Sequence, residues 1–300
     1  MKHSYFSRLA TEKNREKIAG YAFILPDTVG IFIFMIVPIV LAFIVSLTKW
    51  TGLSEPQTVG FRNYLTLFND WIWWHSIKIT LLFVIIFVPI MIFGSLGLAL
   101  LVNSHVKLLK DIFRISFFAP YMLSMIVTSI IWKFFYAPLN GLINQTLRAL
   151  HLPTFQWLGS KDIALLCILF VYLWWYIGYY MILFIAGLND IPKMYYDAAA
   201  VDGAGKWAQF VQITLPLLKP TMLFVMVVLT IESFQVFDIV YVMTRGGPGR
   251  ATYVNVFYIY ERAFITLKFG YASAMAFILF IIISLTSIFQ FKYFHSGGDY

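Results

Sequence analysis

Six long apolar segments constrain this chain more than any other feature. Each is long enough to cross the hydrocarbon core of a membrane, which takes about 20 mostly apolar residues in a helix. They cover residues 18–47, 79–102, 115–135, 163–188, 221–243 and 270–291. The composition, 61% hydrophobic and 12% charged, is far from that of an ordinary soluble domain. The sequence therefore predicts an all-α, polytopic membrane protein with six transmembrane helices.

The segments outside the six spans are short. Residues 1–17 are polar and basic, and the apolar run after them is too long for a secretory signal peptide. Lys and Arg are slightly more numerous in the segments that become cytoplasmic if this tail lies inside. We therefore predict a cytoplasmic N-terminal tail over residues 1–17, one six-helix membrane domain over 18–294, and a C-terminal tail over 295–300.

The sequence lacks the residue patterns that several other classes of protein function require. The net charge of +8 is spread over loops, so we expect no nucleic-acid partner. The single cysteine excludes an internal disulfide, and the five histidines fall outside the spans without the spacing of metal ligands. Gly205-Lys206 is not part of a phosphate-binding loop, because the other residues of that motif are absent around it. The sequence also has no paired acids on a helix face and no nucleophile motif. We predict no catalytic residues and no metal site.

One polar loop of about 28 residues, 189–216, connects the fourth and fifth spans. It is predicted to form two short helices around a turn at Asp202-Gly203, with Pro216 ending the second helix. Three successive alanines, residues 198–200, leave a thin helix flank that another backbone could approach closely. Spacing alone leaves two interpretations open: a docking helix for a partner, or a connector lying on the membrane surface.

The loop carries a family resemblance. Asp197-Ala198-Ala199 is followed at fixed distances by Gly203, Ile213 and Leu215-Pro216, and the turn reads Asp202-Gly203-Ala204. This resembles the pattern Glu-Ala-Ala, three residues, Gly, nine residues, Ile, one residue, Leu-Pro in the permease family of bacterial ABC importers. Asp in place of Glu at position 197 keeps the charge but shortens its reach.

The resemblance extends over residues 20–294. The stretches 234–238, 246–249 and 270–274 are similar to the carbohydrate branch of that family, in particular to the first of the two paired permeases of the maltose and glycerol-phosphate type. The resemblance implies a type I ABC importer permease fold and a non-catalytic subunit that moves a sugar or oligosaccharide across the bacterial cytoplasmic membrane.

The resemblance also implies partners. These are a second, non-identical permease, cytoplasmic ATP-binding subunits docked on the 189–216 loop, and an extracytoplasmic solute-binding protein. ATP and Mg²⁺ would be used by the ATPase, and this chain would bind no cofactor. The coupling residues implied are Asp197, Ala198, Ala199, Asp202, Gly203, Ala204, Ile213, Leu215 and Pro216.

Polar side chains inside two spans indicate a substrate pathway. Glu232 lies near the middle of the fifth span, with Ser233 beside it and Gln235 on the same helical face. Aromatic residues at positions i, i+3, i+4 and i+7 of the fourth span share one face: Tyr172, Trp175, Tyr176 and Tyr179. We expect these residues to contact the sugar. Helix packing for the aromatic stripe, and a pair with the second permease for Glu232, remain alternatives.

Two alternative functions for a polytopic membrane protein are an intramembrane enzyme and a stand-alone secondary carrier. An intramembrane enzyme acting on a lipid-linked substrate would need converging acids, histidines or a metal motif, and the sequence has none. A stand-alone secondary carrier is disfavoured because the two halves of the chain show no convincing similarity to each other.

Overall fold

The computed structural model describes residues 2–103 and 107–295, and nearly all of its regular structure is helical. Apart from residue 295, the predicted C-terminal tail lies outside the described residues. In chain order, the helices are α1 (Lys2–Ile31), α2 (Val37–Ser46), α3 (Arg62–Phe68), α4 (Trp71–Asn103), α5 (Lys107–Phe118), α6 (Met125–Phe135), α7 (Leu142–Ala149), α8 (Ala164–Asn189), α9 (Lys193–Val201), α10 (Lys206–Gln209), α11 (Leu215–Leu217), α12 (Lys219–Phe234), α13 (Asp238–Met243), α14 (Asn255–Tyr260) and α15 (Phe269–His295).

Shorter elements join some of these helices. A 3₁₀ turn covers Ala119–Met122, and two-residue strands β1 (Thr48–Lys49) and β2 (Gln57–Thr58) pair antiparallel, with Thr48 opposite Thr58. Five-residue π-helical segments cover Phe32–Ile36, Phe210–Thr214 and Glu261–Ile265.

The predicted fold class is confirmed. Among the described residues, five helices are long and apolar enough to cross a membrane, and the number is six when a sharply bent pair is counted as one span. The five are Arg15–Ser46, Trp71–Asn103, Ala164–Asn189, Lys219–Met243 and Phe269–Phe294, and the bent pair is Lys110–Met122 with Met125–Phe135.

The third span is not the continuous helix that the sequence predicted over residues 115–135. Its two halves meet at an angle of 94°. Pro120 lies in the 3₁₀ turn at the end of the first half, and Leu123 then takes an extended conformation. Because proline has no N–H and disfavours a helical residue before it, the helix stops here.

The fifth span is also interrupted. Helix α12 ends at Phe234 and α13 begins at Asp238, and Phe237 between them has φ −143° and ψ −60°. Neither proline nor glycine lies in residues 235–237, so the sequence contains no local signal for this break.

Two π-helical segments end just before prolines. The Val37 N–H bonds to the carbonyl of Phe32, and the Leu215 N–H bonds to the carbonyl of Phe210. Pro38 and Pro216 follow directly and cannot donate a backbone hydrogen bond. The wider i→i+5 pattern lets each helix continue through its proline. The prediction that Pro216 ends the second loop helix is therefore wrong: the chain stays helical to Leu217.

One compact unit contains the chain up to Leu67 together with Arg262–Phe277. In this unit the Asn63 side-chain amide donates to the carbonyls of Ser46 and Thr48, at 2.7 and 2.8 Å, and so satisfies the carboxyl end of α2. Gly270 approaches the hairpin so closely that a Cβ atom there would lie 1.8 Å from the Thr48 oxygen. These contacts hold the short hairpin at the end of α2.

The second unit contains Phe68–Glu261 and the chain from Ile278 onward. Helices α4, α8 and α12 pack against one another in its interior, and α13 packs on α6 and α8. Phe83 and Phe87 of α4 are fully buried, and their ring centroids lie 5.4 and 4.9 Å from that of Tyr172. Gly178 of α8 lies against the end of α5, where a Cβ atom would come within 1.9 Å of the Phe117 carbonyl oxygen.

We expect Gly178→Ala to disrupt this packing. The added methyl meets backbone atoms that cannot rotate away, and overpacking of this kind costs about 1–3 kcal/mol. Gly97→Ala is the matched control, because no atom lies within 4 Å of a Cβ at that helical position. Thermal unfolding of the two purified variants measures the difference. Equal midpoints would contradict the close contact between α8 and the end of α5.

Candidate functional site

A cavity of about 220 Å³ opens where α6, α8 and the break in the fifth span come together. Ten residues line it: Met125, Tyr172, Trp175, Tyr176, Glu232, Gln235, Val236, Phe237, Asp238 and Ile239. Four of the ten are aromatic, and the polar groups are two carboxyls, one amide, one indole and two phenols. Small-molecule sites commonly combine apolar walls with a few converging polar groups in this way.

Glu232 is the central polar group of the cavity. The hydroxyl of Tyr180, which is fully buried, donates to Glu232 Oε2 at 2.6 Å. The Tyr172 hydroxyl lies 3.5 Å from the main-chain oxygen of Glu232, in the last turn of α12. Tyr180 therefore holds the side chain of Glu232, while Tyr172 contacts its backbone oxygen at the outer limit of hydrogen-bonding distance.

Trp175 has a structural partner as well as a place on the cavity wall. Its indole Nε1 donates to the carbonyl oxygen of Leu123 at 2.9 Å, inside the break of the third span. Its ring centroid lies 4.6 Å from that of Tyr121 in the 3₁₀ turn. The indole N–H is thus already used, and the stacking face of the ring is what Trp175 can offer to a ligand.

Both helix breaks lie beside this cavity. Met125 follows the first break and lines the cavity, and residues 235–237 of the second break form part of its wall. Non-helical backbone at membrane depth is tolerated where it lines a cavity or is buried in protein. Interrupted helices of this kind carry substrate sites in many transporters.

The structure brings most of the predicted pathway residues together. Tyr172, Trp175, Tyr176, Glu232 and Gln235 line one cavity, as expected from their helical faces.

Tyr179 and Ser233 lie elsewhere. The Tyr179 ring stacks on Tyr121 at 4.6 Å and 18°. Ser233 is fully buried, and its hydroxyl donates to the Thr230 carbonyl of its own helix. One residue along a helix is a rotation of about 100°, which turns Ser233 away from the face of Glu232.

Sequence reasoning missed Tyr180 and did not assign Asp238 to the site. Tyr180 lies eight residues after Tyr172 and directly follows Tyr179, so extending the aromatic stripe from i+7 to i+8 would have included it. In the sequence, Asp238 is the last residue of the family-like stretch 234–238, inside the span predicted over residues 221–243. The break before α13 instead makes it the first residue of a new helix on the cavity wall.

The 189–216 loop forms the predicted pair of helices around a turn. Helix α9 ends in a Schellman motif: the Ala204 N–H bonds to the Ala199 carbonyl at 2.8 Å, and the Gly203 N–H to the Ala200 carbonyl at 3.1 Å. Gly203 has φ +78°, a conformation that side chains with a Cβ rarely adopt. The glycine of the loop pattern is therefore required by the backbone, four positions after the second alanine.

The two loop helices are joined by side chains. The hydroxyls of Tyr196 in α9 and Thr214 in the π segment lie 2.9 Å apart. The outer surface of the loop stays open: Met194, Val201 and Trp207 are 69%, 89% and 76% exposed.

The implied coupling residues divide by position. Asp197, Ala198, Asp202 and Gly203 are exposed, whereas Ala199, Ala204, Ile213, Leu215 and Pro216 are half-buried. The exposed group is available to a partner, and the half-buried group shapes the turn and the second helix.

Comparison with known proteins identifies the family. Residues 94–295 match the family described as "Binding-protein-dependent transport system inner membrane component". The chain is similar to the "Probable ABC transporter permease protein YurN" of Bacillus subtilis, with 38% identity over 95% of this chain and 99% of the relative. The chain belongs to this permease family.

Two further similarities agree. The trehalose/maltose transport system permease protein MalF of Thermococcus litoralis is 32% identical over 93% of this chain and 95% of its own length. The fold matches a crystallised bacterial alginate ABC transporter, in complex with alginate pentasaccharide-bound periplasmic protein, with a TM-score of 0.81 at 21% identity over 93% of this chain and 94% of that chain.

The family assignment settles the function class. The chain is a multi-pass, inner-membrane permease of an ATP-driven importer, and the enzyme and stand-alone carrier hypotheses are not favoured. The fold expected from the resemblance, that of an ABC importer permease, is confirmed by the structural match.

For the cavity of this permease we expect Tyr180→Phe to lower stability measurably. The substitution keeps the ring but removes the donor to the Glu232 carboxyl group, and hydrogen bonds to charged groups contribute about 1.5–3 kcal/mol. Tyr179→Phe is the matched control, since the Tyr179 ring stacks on Tyr121 outside the cavity. Thermal unfolding of the purified permease should separate the two variants. A shift of equal size in both would show that the Tyr180–Glu232 bond contributes nothing.

For the loop we expect Gly203→Val to impair transport while Gly205→Val does not. Both glycines have open space around a Cβ, but Gly203 has φ +78° and Gly205 has φ −69°. Only the first substitution forces a β-branched residue into a strained conformation, at a local cost of about 1–3 kcal/mol. Uptake by cells with verified membrane insertion is the measurement. Similar uptake by the two variants would make the loop a passive connector.

Proposed function

We propose that this permease imports a sugar or oligosaccharide and that the 220 Å³ cavity contacts the sugar during passage. The observation that carries the proposal is the meeting of two interrupted spans at a cavity lined by Tyr172, Trp175, Tyr176, Glu232 and Gln235. Aromatic faces stack on the C–H faces of sugar rings, while carboxyl and amide groups accept and donate hydrogen bonds to hydroxyls. The similar MalF protein is a trehalose/maltose permease, which supports the same substrate class here.

The exposed 189–216 loop is the proposed docking site for the cytoplasmic ATP-binding subunits. Its open surface combines the acidic side chains Asp197 and Asp202 with the apolar side chains Met194, Val201 and Trp207. Such a mixture suits a partner surface better than continuous contact with water. The link between Tyr196 and Thr214 would let the loop move as one piece.

The loop is continuous with the two helices that form the cavity. Helix α8 ends at Asn189, directly before the loop, and α12 begins at Lys219, directly after it. Closure of the ATPase subunits would push on the loop, and α8 and α12 would carry that displacement to the cavity. The permease would then alternate between openings to the two sides of the membrane.

The remaining subunits follow from the same proposal. A second, non-identical permease would complete the pathway, and an extracytoplasmic binding protein would deliver the sugar, as a periplasmic protein accompanies the similar alginate transporter. ATP and Mg²⁺ would be used by the ATPase subunits, and this chain would bind no cofactor. The loop would lie in the cytoplasm, and so would the N-terminal segment.

Reconstitution tests this proposal. Proteoliposomes containing this permease, the second permease and the ATPase subunits should show ATP hydrolysis stimulated by the sugar-loaded binding protein, together with sugar uptake. The purified chain alone should hydrolyse no ATP, because it lacks a phosphate-binding loop.

Two outcomes would refute the proposal. Robust ATP turnover by the isolated chain would place hydrolysis in the wrong subunit. Uptake by liposomes that lack this chain would show that it does not form the pathway.

A further inference from the structure

The cavity has an unusual charge pattern. Glu232 and Asp238 both line it, and no lysine, arginine or histidine among the described residues does. In the part of the chain that the structure describes, neither carboxyl group has an ion-pair partner. The Tyr180 hydroxyl donates to Glu232 Oε2 at 2.6 Å, and the Tyr176 hydroxyl also hydrogen-bonds to this carboxyl group, so its partners are neutral phenols rather than cations. The cavity therefore has an excess of acceptors and of negative charge.

Such a site is costly at membrane depth without a positive counterpart. A carboxylate away from water loses hydration that hydrogen bonds from two neutral phenols replace only in part, because they supply no positive charge. Ionised side chains inside membrane proteins are usually paired, face a water-filled cavity, or mark a substrate or ion pathway. Half-buried Glu232 opens onto the cavity, so a ligand in the cavity can supply the missing charge.

The aromatic walls favour the same kind of ligand. The Tyr172 and Tyr176 ring centroids are 4.8 Å apart, and those of Trp175 and Tyr176 are 4.6 Å apart. Phe237 adds a further ring to the wall. Aromatic faces attract ammonium groups through their quadrupoles, and rings next to carboxylates are a common combination for binding cationic ligands. The same faces also stack on a sugar ring, so one molecule could use both.

We propose that the cavity recognises a carbohydrate that carries a protonated amine, with the ammonium group directed at Glu232 and Asp238. This inference rests on the proposed function, because it takes the cavity to be part of the sugar pathway. The cavity volume of about 220 Å³ is below the roughly 300–1,000 Å³ of sites for drug-sized ligands, which suits one sugar unit. By the same electrostatics, sugars that carry a carboxylate are disfavoured.

Direct binding tests the charge preference without depending on the choice made by the binding protein. The assembled transporter in nanodiscs is titrated with D-glucosamine, D-glucose, N-acetyl-D-glucosamine and D-glucuronate, at a pH where the glucosamine amine is protonated. Saturation-transfer NMR detects weak binding of each. We expect glucosamine to bind about tenfold or more tightly than the two neutral sugars, as a hydrogen bond between charged groups would give, and glucuronate to bind least.

Variants assign the preference to the two acids. Glu232→Gln should abolish the advantage of glucosamine while the neutral sugars still bind, and Asp238→Asn, at an exposed position, should reduce it. Glu261→Gln is the matched control: its Oε2 also accepts a bond from a tyrosine, Tyr253, at 2.5 Å, but it does not line the cavity. It should leave the order of the sugars unchanged.

The contradicting results are distinct. Equal binding of charged and neutral sugars overturns this inference and leaves the proposed function standing. Absence of binding by every sugar overturns both. Loss of the second permease from the complex in Glu232→Gln, with an intact complex in Glu261→Gln, would show that Glu232 pairs with that subunit and would overturn the inference.

Discussion

Backbone N–H and C=O groups inside a membrane have no water to bond, and this constraint governs the whole structure. A continuous helix without proline meets it within the segment itself, as α8 does. Where a span is interrupted, the partners must come from elsewhere in the protein. At the first break the Leu123 carbonyl accepts a bond from the Trp175 indole, and at the second the Glu232 carbonyl faces the Tyr172 hydroxyl. Both of these side-chain donors come from α8, and at the second break the Glu232 carbonyl also accepts the Gln235 N–H of its own segment at 3.1 Å.

The same constraint explains how far the sequence could predict the fold. Hydropathy located the membrane-crossing helices because each span must be apolar over most of its length. The bend near Pro120 had a local cause, whereas the break at residues 235–237 has none in its own residues. The Tyr172 hydroxyl, which lies 3.5 Å from the Glu232 carbonyl oxygen beside this break, is 60 residues away in the chain. Analysis of local sequence windows cannot detect such a long-range contact. At Pro216 the sequence predicted a helix end that the structure does not have. The π-helical segment before this proline lets the helix continue although Pro216 has no N–H to donate.

The candidate site was predictable to a similar extent. Five of the seven predicted pathway residues line one cavity: three share a face of α8, Glu232 lies in the last turn of α12, and Gln235 lies just past the end of that helix, in the break. Periodicity predicts which face of a helix a residue lies on, but not which neighbouring element lies at the same height along the helix axis. Tyr179, which begins the next turn after Tyr176, therefore meets Tyr121 instead. In the loop, the glycine of the family pattern corresponds to one measurable backbone property, the positive φ of Gly203.

The bond between Tyr180 and Glu232 has a mechanical consequence. It joins α8 to α12, the two helices that flank the loop, and its length is 2.6 Å. Sliding one helix past the other by one turn is a displacement of about 5.4 Å, which would break the bond, whereas a slide of a single residue, about 1.5 Å, would leave it within hydrogen-bonding distance. The pair therefore fixes the alignment of the two helices to within one turn: the bond tolerates small slides and is lost when the helices shift by a full turn. Glu232 also faces the cavity, so a ligand that takes over its carboxyl oxygen frees the helices from that alignment.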